Sequence, residues 1–255
     1  MVIQACGVSE AGVRRTNEDG FIAEPALRLF AVADGMGGHQ AGEVASRLAI
    51  EAISTFIRRS FEDTDFTWPY GIDDALSFDG NRLRTAIHLG NRRVFRAAES
   101  RDDYSGMGTT ITAVLVNHSG ISIGSVGDSR LYLLRDGALE QLTDDDSWTA
   151  ALLAHDPNVD PQQLQRHALR NVLTNALGAR DRVDVRVTER PIVSGDMLLL
   201  CTDGLHGVLT CDRLRDILRH AAGVEPAARD LVDAALQNGS RDNVTALVVR
   251  YEADR

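Results

Sequence analysis

Apolar residues recur at helical spacing in two long segments of the N-terminal half. The first segment covers 41 to about 58, and the second covers about 81 to 98. Residues three and four positions apart lie on the same face of a helix, so each segment presents one apolar face. We predict two amphipathic helices that pack on a sheet, joined by a loop over 60–79, where acidic, Pro and Gly residues cluster.

Short apolar runs bounded by turn residues predict the strands. These runs cover 2–8, 27–33, 109–116, 121–126, 131–134, 139–142, 185–187, 197–201 and 244–251. The four runs within 109–142 follow one another closely, with a hairpin turn at Arg135-Asp136-Gly137, and predict an antiparallel meander. The run Met197–Cys201 is apolar without interruption, which is typical of a strand buried on both faces.

Further helices are predicted near 212–221 and 226–237, and the segment 143–171 is polar with a helical pattern. Strands and helices occur in blocks and do not alternate regularly, so we predict the α+β class. A chain of 255 residues with 44% hydrophobic residues can bury one large core. The uninterrupted pattern favours a single domain over 1–255.

Composition excludes several classes of protein. The formal net charge is −10, and a nucleic-acid partner is not expected, because phosphate backbones are bound by clustered Lys and Arg. No apolar stretch approaches the ~20 residues that span a bilayer, and the N-terminus lacks the pattern of an export signal. The three cysteines lack the spacing of a zinc site or a disulfide framework. We expect a cytoplasmic monomer without a membrane span.

Aspartates stand in short turns with Gly or Asn at widely separated points, next to apolar runs. An Asp at the end of a buried strand can direct its carboxylate into a cleft when a following Gly lets the chain turn sharply. Oxygen atoms are the ligands that Mg²⁺ and Mn²⁺ prefer. Carboxylates brought together in one cleft repel each other unless cations neutralise them. The sequence therefore predicts a metal site assembled from distant strand ends.

The order of six motifs resembles the PP2C-type (PPM family) metal-dependent Ser/Thr phosphatases, in their bacterial form. The motifs are Arg14-Arg15-Thr16-Asn17-Glu18-Asp19, Asp34-Gly35-Met36-Gly37-Gly38-His39, Gly106-Met107-Gly108-Thr109-Thr110, Gly127-Asp128-Ser129-Arg130, Thr202-Asp203-Gly204 and Asp242-Asn243-Val244-Thr245. Each motif alone is an ordinary turn sequence, but together they follow the family order from about 7 to 251. The resemblance implies a four-layer α-β-β-α sandwich with two central antiparallel sheets flanked by helices.

The resemblance also implies the ligands of two Mn²⁺ or Mg²⁺ ions. It places Asp34 as the bridging ligand, with the Gly35 carbonyl, Asp203 and Asp242 completing direct coordination. Two such ions lower the pKa of a bound water toward ~7 and stabilise charge on the attacking and leaving oxygens. The acids would then serve the hydrolysis of a phosphate monoester.

Three further acids of the motifs have less direct roles. Glu18 and Asp19 are adjacent, and side chains alternate across a strand, so at least one of them is expected to act through metal-bound water. Asp128 is expected to help hold a third ion together with Asp203, as the resemblance implies for bacterial members. The alternative for Asp128 is a cap of its own turn.

Two more motif residues are candidates for contact with the substrate. Arg14 is assigned to the substrate phosphate, because a guanidinium group can bind two phosphoryl oxygens at once. His39 is a candidate general acid for the leaving group, with metal-bound water as the alternative donor. In the eukaryotic branch the proposed acid directly follows Asp-Gly, where this chain has Met36. The other six histidines are expected on the surface or in satisfied core positions.

The resemblance implies hydrolysis of phosphoserine and phosphothreonine in proteins, in opposition to a bacterial-type Ser/Thr kinase. Phosphoprotein substrates and that cognate kinase are the expected partners, and a flap subdomain at about 143–171 is expected to help select the substrates. Two alternatives are a catalytically inactive, phosphatase-like module that binds a partner and a hydrolase of small phosphate esters. The complete set of acids, together with Arg14, favours the protein phosphatase.

Overall fold

Two antiparallel β-sheets lie face to face and carry helices on their outer faces. The computed structural model describes residues 1–38, 41–63, 67–117, 120–156, 159, 164, 167–169 and 171–253. The strands are β1 (Val2–Glu10), β2 (Asp19–Glu24), β3 (Leu29–Met36), β4 (Gly108–Thr109), β5 (Ile111–Val116), β6 (Ile121–Val126), β7 (Arg130–Arg135), β8 (Ala138–Gln141), β9 (Arg186–Arg190), β10 (Met197–Cys201) and β11 (Val244–Glu252). The α-helices are α1 (Ala41–Glu62), α2 (Phe78–Ser100), α3 (Trp148–His155), α4 (Asp203–His206), α5 (Cys211–His220) and α6 (Val224–Gln237).

Each sheet combines strands that are remote in the sequence. One sheet has the strand order β1-β11-β10-β7-β8, and the other has the order β2-β3-β5-β6-β9, with the short β4 paired to β3. The pairings between these described strands are antiparallel. The first and last strands of the chain therefore pair directly, with Val2 opposite Glu252 and Glu10 opposite Val244.

Alternation along the strands divides the apolar residues into layers. In β3, Phe30 and Val32 pack between the sheets, whereas Leu29, Ala31 and Ala33 face α1 and α2. In β10, Leu198 and Leu200 pack between the sheets, and the alternate residues Met197, Leu199 and Cys201 face α5 and α6. Side chains point to opposite faces at successive positions, so strands of this kind must be covered on both faces. The described residues form the predicted four-layer α-β-β-α sandwich.

Side-chain caps fix where several helices begin. The Ser77 hydroxyl accepts a hydrogen bond from Gly80 N (3.1 Å) at the start of α2. Thr210 caps α5 in the same way through Arg213 N (3.3 Å). Capping satisfies N–H groups that have no partner within the helix. Each of these polar residues directly precedes an amphipathic helix.

The predicted meander over 109–142 is wrong in one respect. Strands β5 and β6 pair in one sheet, but β7 and β8 pair in the other, so the chain crosses between the sheets at residues 127–129. Local periodicity predicts each strand and its apolar faces, but it does not indicate to which of the two sheets a strand belongs. The crossing places Asp128 between the two sheets.

Other elements differ from the sequence prediction mainly at their ends. Strand β2 is missing from the predicted strands, because its apolar stretch is only Phe21-Ile22-Ala23, directly after Asp19-Gly20. The helix α4 is also new, and it has four residues. Within the segment 143–171, the structure describes α3, which begins after the cap Ser147. No helix among the described residues has the length and apolar character that crossing a membrane requires.

Candidate metal centre

The acids singled out in the sequence lie at the ends of strands from both sheets. Asp19 begins β2 and stands opposite Asp34 of β3. Asp203 directly follows Thr202 after β10, and Asp242 lies two residues before β11. Asp128 belongs to the turn that crosses between the sheets. The pKa of Asp34 is raised well above its ordinary value by burial and then by the nearby charges of these four acids, so the five carboxyl groups converge.

Asp19 is held by two hydroxyl groups from the opposite sheet. Its Oδ2 atom accepts hydrogen bonds from Thr202 Oγ1 (2.8 Å) and Thr245 Oγ1 (2.6 Å). Burial raises the pKa of Asp19 to about 7, against the opposing effect of these hydroxyl donors. Its other oxygen, Oδ1, is buried and has no hydrogen-bond partner among the described residues. One oxygen is thus fixed in place, and the other is left for a ligand.

The backbone of Asp34 is fixed by the two threonines of the motif Gly108-Thr109-Thr110. Asp34 N donates to Thr110 Oγ1 (2.9 Å), and Thr109 Oγ1 donates to the Asp34 carbonyl oxygen (2.9 Å). Thr110 N donates to the same carbonyl oxygen (2.9 Å). These threonines belong to a short strand and its flank, as expected from the sequence, and they also hold the predicted bridging ligand.

Gly35 allows the start of α1 to approach the end of β3. A Cβ atom at Gly35 would lie 2.0 Å from the Gly42 carbonyl oxygen, and one at Gly42 would lie 2.7 Å from the Glu18 carboxyl carbon. Gly35 N donates to the Glu18 carbonyl oxygen (3.1 Å). The pKa of Glu18 is raised, chiefly by burial, although the nearby Arg14 charge lowers it. The two glycines therefore bring Glu18 to the same end of the sheet as Asp34.

Asp203 and Asp242 are brought together by an equally close backbone contact. A Cβ atom at Gly204 would lie 1.9 Å from the Asn243 carbonyl oxygen. The pKa of Asp203 is raised by burial and by the Asp242 charge, while a hydrogen bond with Asp34 lowers it. Asp203 Oδ1 is buried without a hydrogen-bond partner among the described residues. Only Gly fits between these two acids of the site.

Asp128 lies close to Asp203. Burial and the Asp203 charge raise the pKa of Asp128 to about 7. Both acids line a cleft of about 650 Å³ that also contains His206. The His206 ring nitrogen Nε2 lies 3.0 Å from the Asp128 carbonyl oxygen, and burial lowers the pKa of His206 to about 4, so the ring is neutral.

The donor set fits hard divalent cations. Among the described residues, no group of three or more acidic, His or Cys side chains is arranged to hold a metal ion by itself. However, two buried carboxylate oxygens, Asp19 Oδ1 and Asp203 Oδ1, have no hydrogen-bond partner within that part of the chain. Burying a carboxylate oxygen unpaired is costly, and a cation compensates that cost and the mutual repulsion of the acids. These residues could hold Mn²⁺ or Mg²⁺ through oxygen atoms alone.

Arg14 lies at the rim of the acidic cluster. Its side chain is 56% exposed, and NH2 donates to Asp242 Oδ2 at 2.8 Å. Its Nε donates to the Arg241 carbonyl oxygen at 3.0 Å. A guanidinium group has five N–H donors, so these two contacts leave it able to bind an anion while it stays on Asp242. The candidate general acid His39 lies outside the described residues.

Sequence reasoning missed several residues that hold the acids in place. Thr202, Thr245 and Asn243 lie within or next to the Asp motifs, and their positions beside the ligands were the available signal. The Asn243 side chain accepts from Glu18 N (2.9 Å) and donates to the Thr16 carbonyl oxygen (2.9 Å). Asn243 therefore ties the first motif to the last.

The base of the expected flap is attached to the site through Asp146. Its Oδ2 accepts from Gly127 N (3.1 Å) and from Asn175 Nδ2 (3.0 Å). Further out, the Trp148 ring stacks on the His167 ring, with centroids 4.5 Å apart. The described part of the flap thus begins beside the turn that carries Asp128.

Comparison with known proteins agrees with the fold and with the motif order. Residues 6–248 match the sequence profile of the family described as protein phosphatase 2C. The serine/threonine protein phosphatase PstP of Mycobacterium tuberculosis is 37% identical over 249 residues, which are 97% of this chain and 45% of PstP. This chain therefore spans about half the length of that curated relative. The serine/threonine phosphatase stp of Listeria welshimeri is 34% identical over 245 residues, covering 93% of this chain and 91% of stp.

A solved structure gives the same picture at the level of the fold. The crystal structure of the catalytic domain of PstP in complex with two manganese ions has a TM-score of 0.82 to this chain at 34% sequence identity. The match covers 98% of this chain and 99% of that one. In that relative, a domain of this architecture holds a pair of manganese ions.

Proposed function

The chain belongs to the protein phosphatase 2C family, and on that premise we propose that it hydrolyses phosphoserine and phosphothreonine in proteins in a reaction that requires Mn²⁺ or Mg²⁺. The observation that carries this proposal is the pair of buried carboxylate oxygens, Asp19 Oδ1 and Asp203 Oδ1, without hydrogen-bond partners among the described residues. They lie within a group of five converging acids, and burial together with the charges of the other four raises the pKa of Asp34 well above its ordinary value. Such a group is stable at neutral pH when cations take the place of protons.

In the proposed site, Asp34, the Gly35 carbonyl, Asp203 and Asp242 hold two cations directly. When bound, the two ions supply a water of lowered pKa and neutralise charge on the phosphoryl group. Asp19 keeps a fixed orientation through its hydroxyl donors, which leaves Oδ1 for an ion or its water.

The remaining acids extend the proposed site on either side. Glu18 acts at the β2 end through metal-bound water. Asp128 shares a cleft with Asp203, and these two acids are proposed to hold a third ion.

Arg14 binds the substrate phosphate in this proposal. Its guanidinium lies on Asp242 at the rim of the acids, so a phosphate bound by its other N–H groups would be held next to the ions. Bidentate contact of this kind orients the phosphoryl group for attack and stabilises its charge. His39 stays a prediction for the proton donor to the leaving group.

The partners follow from the same chemistry. We propose phosphoprotein substrates, a cognate Ser/Thr kinase of the bacterial type, and a cytoplasmic, monomeric protein with one phosphatase domain over 1–255. The flap at about 143–171 is proposed to select substrates, because Asp146 at its base is hydrogen-bonded to Gly127, in the turn that carries Asp128.

The test compares hydrolysis of a phosphothreonine peptide with Mn²⁺, with a chelator, and by Asp203→Asn with Mn²⁺. We expect the chelator to abolish the reaction and Asp203→Asn to lower kcat/KM by about 100-fold or more, because the variant loses a charged metal ligand. Asp233→Asn, a change of the same chemistry at an exposed position of α6, is the control and should retain the rate. Equal rates in all of these conditions would contradict the proposal. A rate confined to p-nitrophenyl phosphate would indicate a hydrolase of small esters.

A further inference from the structure

The turn Gly127-Asp128-Ser129-Arg130 is anchored to different parts of the molecule at successive residues. Ser129 Oγ hydrogen-bonds Thr110 Oγ1 (2.7 Å), and the Ser129 carbonyl oxygen accepts from Thr112 Oγ1 (2.6 Å). Gly127 is bound by the flap base, as described above. These contacts tie the turn to the sheet of β5 and to the flap. A further anchor acts on Asp128 itself and comes from α4.

That anchor is the side chain of His206. A carbonyl oxygen only accepts hydrogen bonds, so the Nε2 atom 3.0 Å from the Asp128 oxygen carries the proton and donates it. His206 is the last residue of α4, and Asp203 is the first. The helix is a single turn closed by Gly207 N, which donates to the Asp203 carbonyl oxygen at 2.7 Å. Asp203 and the His206 ring therefore form one short rigid unit.

We propose that His206 is a positioning residue that sets the separation of the Asp128 and Asp203 carboxylates, and thereby the affinity for an ion held between them. The inference rests on the third ion of the proposed function. Two buried carboxylates of the same cleft repel each other, and a connection between the turn and α4 opposes that repulsion. The ring supplies that connection through the backbone and leaves the Asp128 carboxylate available.

Other groups of the cleft do not replace this connection. Arg130 binds Asp145 through three contacts of 2.7, 2.9 and 3.2 Å, and Arg130 NH1 donates to the Tyr132 hydroxyl at 3.0 Å. These bonds fix Arg130, the last residue of the turn and the first of β7, to Asp145 at the start of the flap and to Tyr132 within β7.

Strand β7 also pairs with β10, with Arg130 opposite Cys201, so the backbone already holds the end of the turn beside the strand that leads to α4. His206 is the side chain of α4 that contacts Asp128 itself, and it limits the remaining movement of Asp128 relative to Asp203.

The experiment measures Mn²⁺ binding by calorimetry in the full chain and in single variants. His206→Leu removes the donor while filling a similar volume, and we expect about 10- to 100-fold weaker binding at the weakest Mn²⁺ site, the range known for residues that support metal ligands. The two tighter ions should keep their affinities. His206→Gln places an amide N–H near the position of Nε2 and should restore the weak site.

His220→Leu is the matched control. The His220 ring also contacts a backbone carbonyl, that of Asp216 at 2.7 Å, but in α5, away from the acids. This variant should leave all Mn²⁺ affinities unchanged. Asp128→Asn and the double variant Asp128→Asn/His206→Leu complete a double-mutant cycle. If His206 acts through Asp128, adding His206→Leu to Asp128→Asn changes Mn²⁺ binding no further.

The outcomes separate this inference from the proposed function. Loss of the weak ion in Asp128→Asn, but not in His206→Leu, would overturn the role of His206 and leave the third ion in place. An unchanged number of bound ions in Asp128→Asn would remove the third ion and this inference together. A lower melting temperature in both His206 variants with unchanged Mn²⁺ binding would mean that the ring only supports the fold.

A measurement on the unmodified protein covers the case in which His206→Leu does not fold. Proton NMR during titration with diamagnetic Mg²⁺ follows the Nε2 proton of His206 and the carbon-bound ring protons of His206 and His220. We expect the His206 proton to exchange slowly with water and to shift as the weakest site fills, while His220 does not respond. Rapid exchange of the His206 proton would show that the bond to Asp128 is not formed, and the inference would fail.

Discussion

Asp19 shows at the scale of one residue how the fold prepares an acid for a cation. Two hydroxyl groups fix its Oδ2 atom, and burial raises its pKa to about 7. An acid with a raised pKa binds protons more tightly in the folded state than in the unfolded state. The contribution of Asp19 to the stability of the folded protein is complete below pH ~4, near its pKa in the unfolded chain. It is lost as the pH rises through its pKa in the folded protein, near 7. A bound cation removes that loss.

We therefore predict a specific pH dependence of the melting temperature in the presence of a chelator. Between pH 6 and pH 8 the unmodified protein should lose stability relative to Asp19→Asn, which cannot titrate. His206, whose pKa is lowered to about 4, acts in the opposite direction below pH ~6.5, so the difference between the two proteins is the quantity to measure. A difference of about 1 kcal/mol corresponds to about 2–4 °C in a domain of this size.

Mn²⁺ should reverse the trend in the unmodified protein, because binding displaces fewer protons at pH 8 than at pH 6. The increase in melting temperature on adding Mn²⁺ should therefore be greater at pH 8. An increase that is the same at both values would mean that the acids are already ionised before the ions bind.

Arg14 is the second residue whose role can be tested alone. Because it lies on Asp242 at the rim, we predict that Arg14→Ala raises KM for a phosphopeptide and lowers kcat/KM by about 10- to 1000-fold, through lost contact with the phosphoryl oxygens. Mn²⁺ affinity, measured by calorimetry, should change by less than about 3-fold, because the ions neutralise Asp242 once bound. Arg15→Ala, the neighbouring exposed arginine, is the control. Loss of ion binding in Arg14→Ala would show that its main partner is Asp242.

At the scale of elements, close backbone contacts decide where the ligands lie. Helix α1 approaches β3 at Gly35, and α4 approaches the start of β11 at Gly204. In both cases the neighbouring atom is a backbone carbonyl oxygen, which no change of side-chain rotamer can move. Gly35 and Gly204 thus allow two elements to pack closely and also allow the chain to turn after the preceding Asp.

This geometry predicts the effect of adding one methyl group. Gly35→Ala would place Cβ 2.0 Å from the Gly42 carbonyl oxygen, so α1 must shift, and we expect a loss of about 1–3 kcal/mol or more in the free energy of unfolding. Mn²⁺ affinity should fall as well, because Glu18 contacts the same end of α1. The control is Gly38→Ala, three residues further along the chain, where no atom of the described residues apart from the chain neighbours lies within 4 Å of the added Cβ. Urea unfolding of both variants checks the prediction, and similar stabilities would contradict it.

At the scale of the whole molecule, the layer between the sheets supports both halves of the site. Leu200 of β10 is fully buried in this layer, close in sequence to Asp203. The acids come from both sheets, so their mutual positions depend on how the sheets pack. A defect in this layer should lower the stability of the entire domain and spare the chemistry of the acids.

We predict that Leu200→Ala lowers the free energy of unfolding by about 2–5 kcal/mol, the range for a buried Leu whose cavity does not collapse. Val193→Ala, at a position that is 49% exposed, should change it by less than about 0.5 kcal/mol. Below its melting temperature, Leu200→Ala should bind the same number of Mn²⁺ ions as the unmodified protein. Loss of ions from the folded variant would mean that the layer also positions the ligands.

Several features of this molecule could be predicted from the sequence. Helical spacing predicted α1 and α2, and the continuous apolar run predicted β10 with the same bounds as the structure. Burial on both faces of that strand is confirmed, since all of its residues are buried. The order of the Asp motifs led to the correct family and to the four-layer fold. These features are local, or they follow from the linear order of motifs, and both can be read along the chain.

Contacts between remote segments could not be predicted from the sequence and are visible only in the folded molecule. The hydroxyl groups that donate to Asp19 and the bond from His206 to Asp128 join residues that are 78 to 226 positions apart. The place of β7 in the second sheet likewise depends on pairing with the distant strand β10. The apolar period of a strand shows which of its faces is buried, but not which layer covers that face. The partner of a polar side chain depends on the register of distant strands, and that register exists only after the sheets have packed.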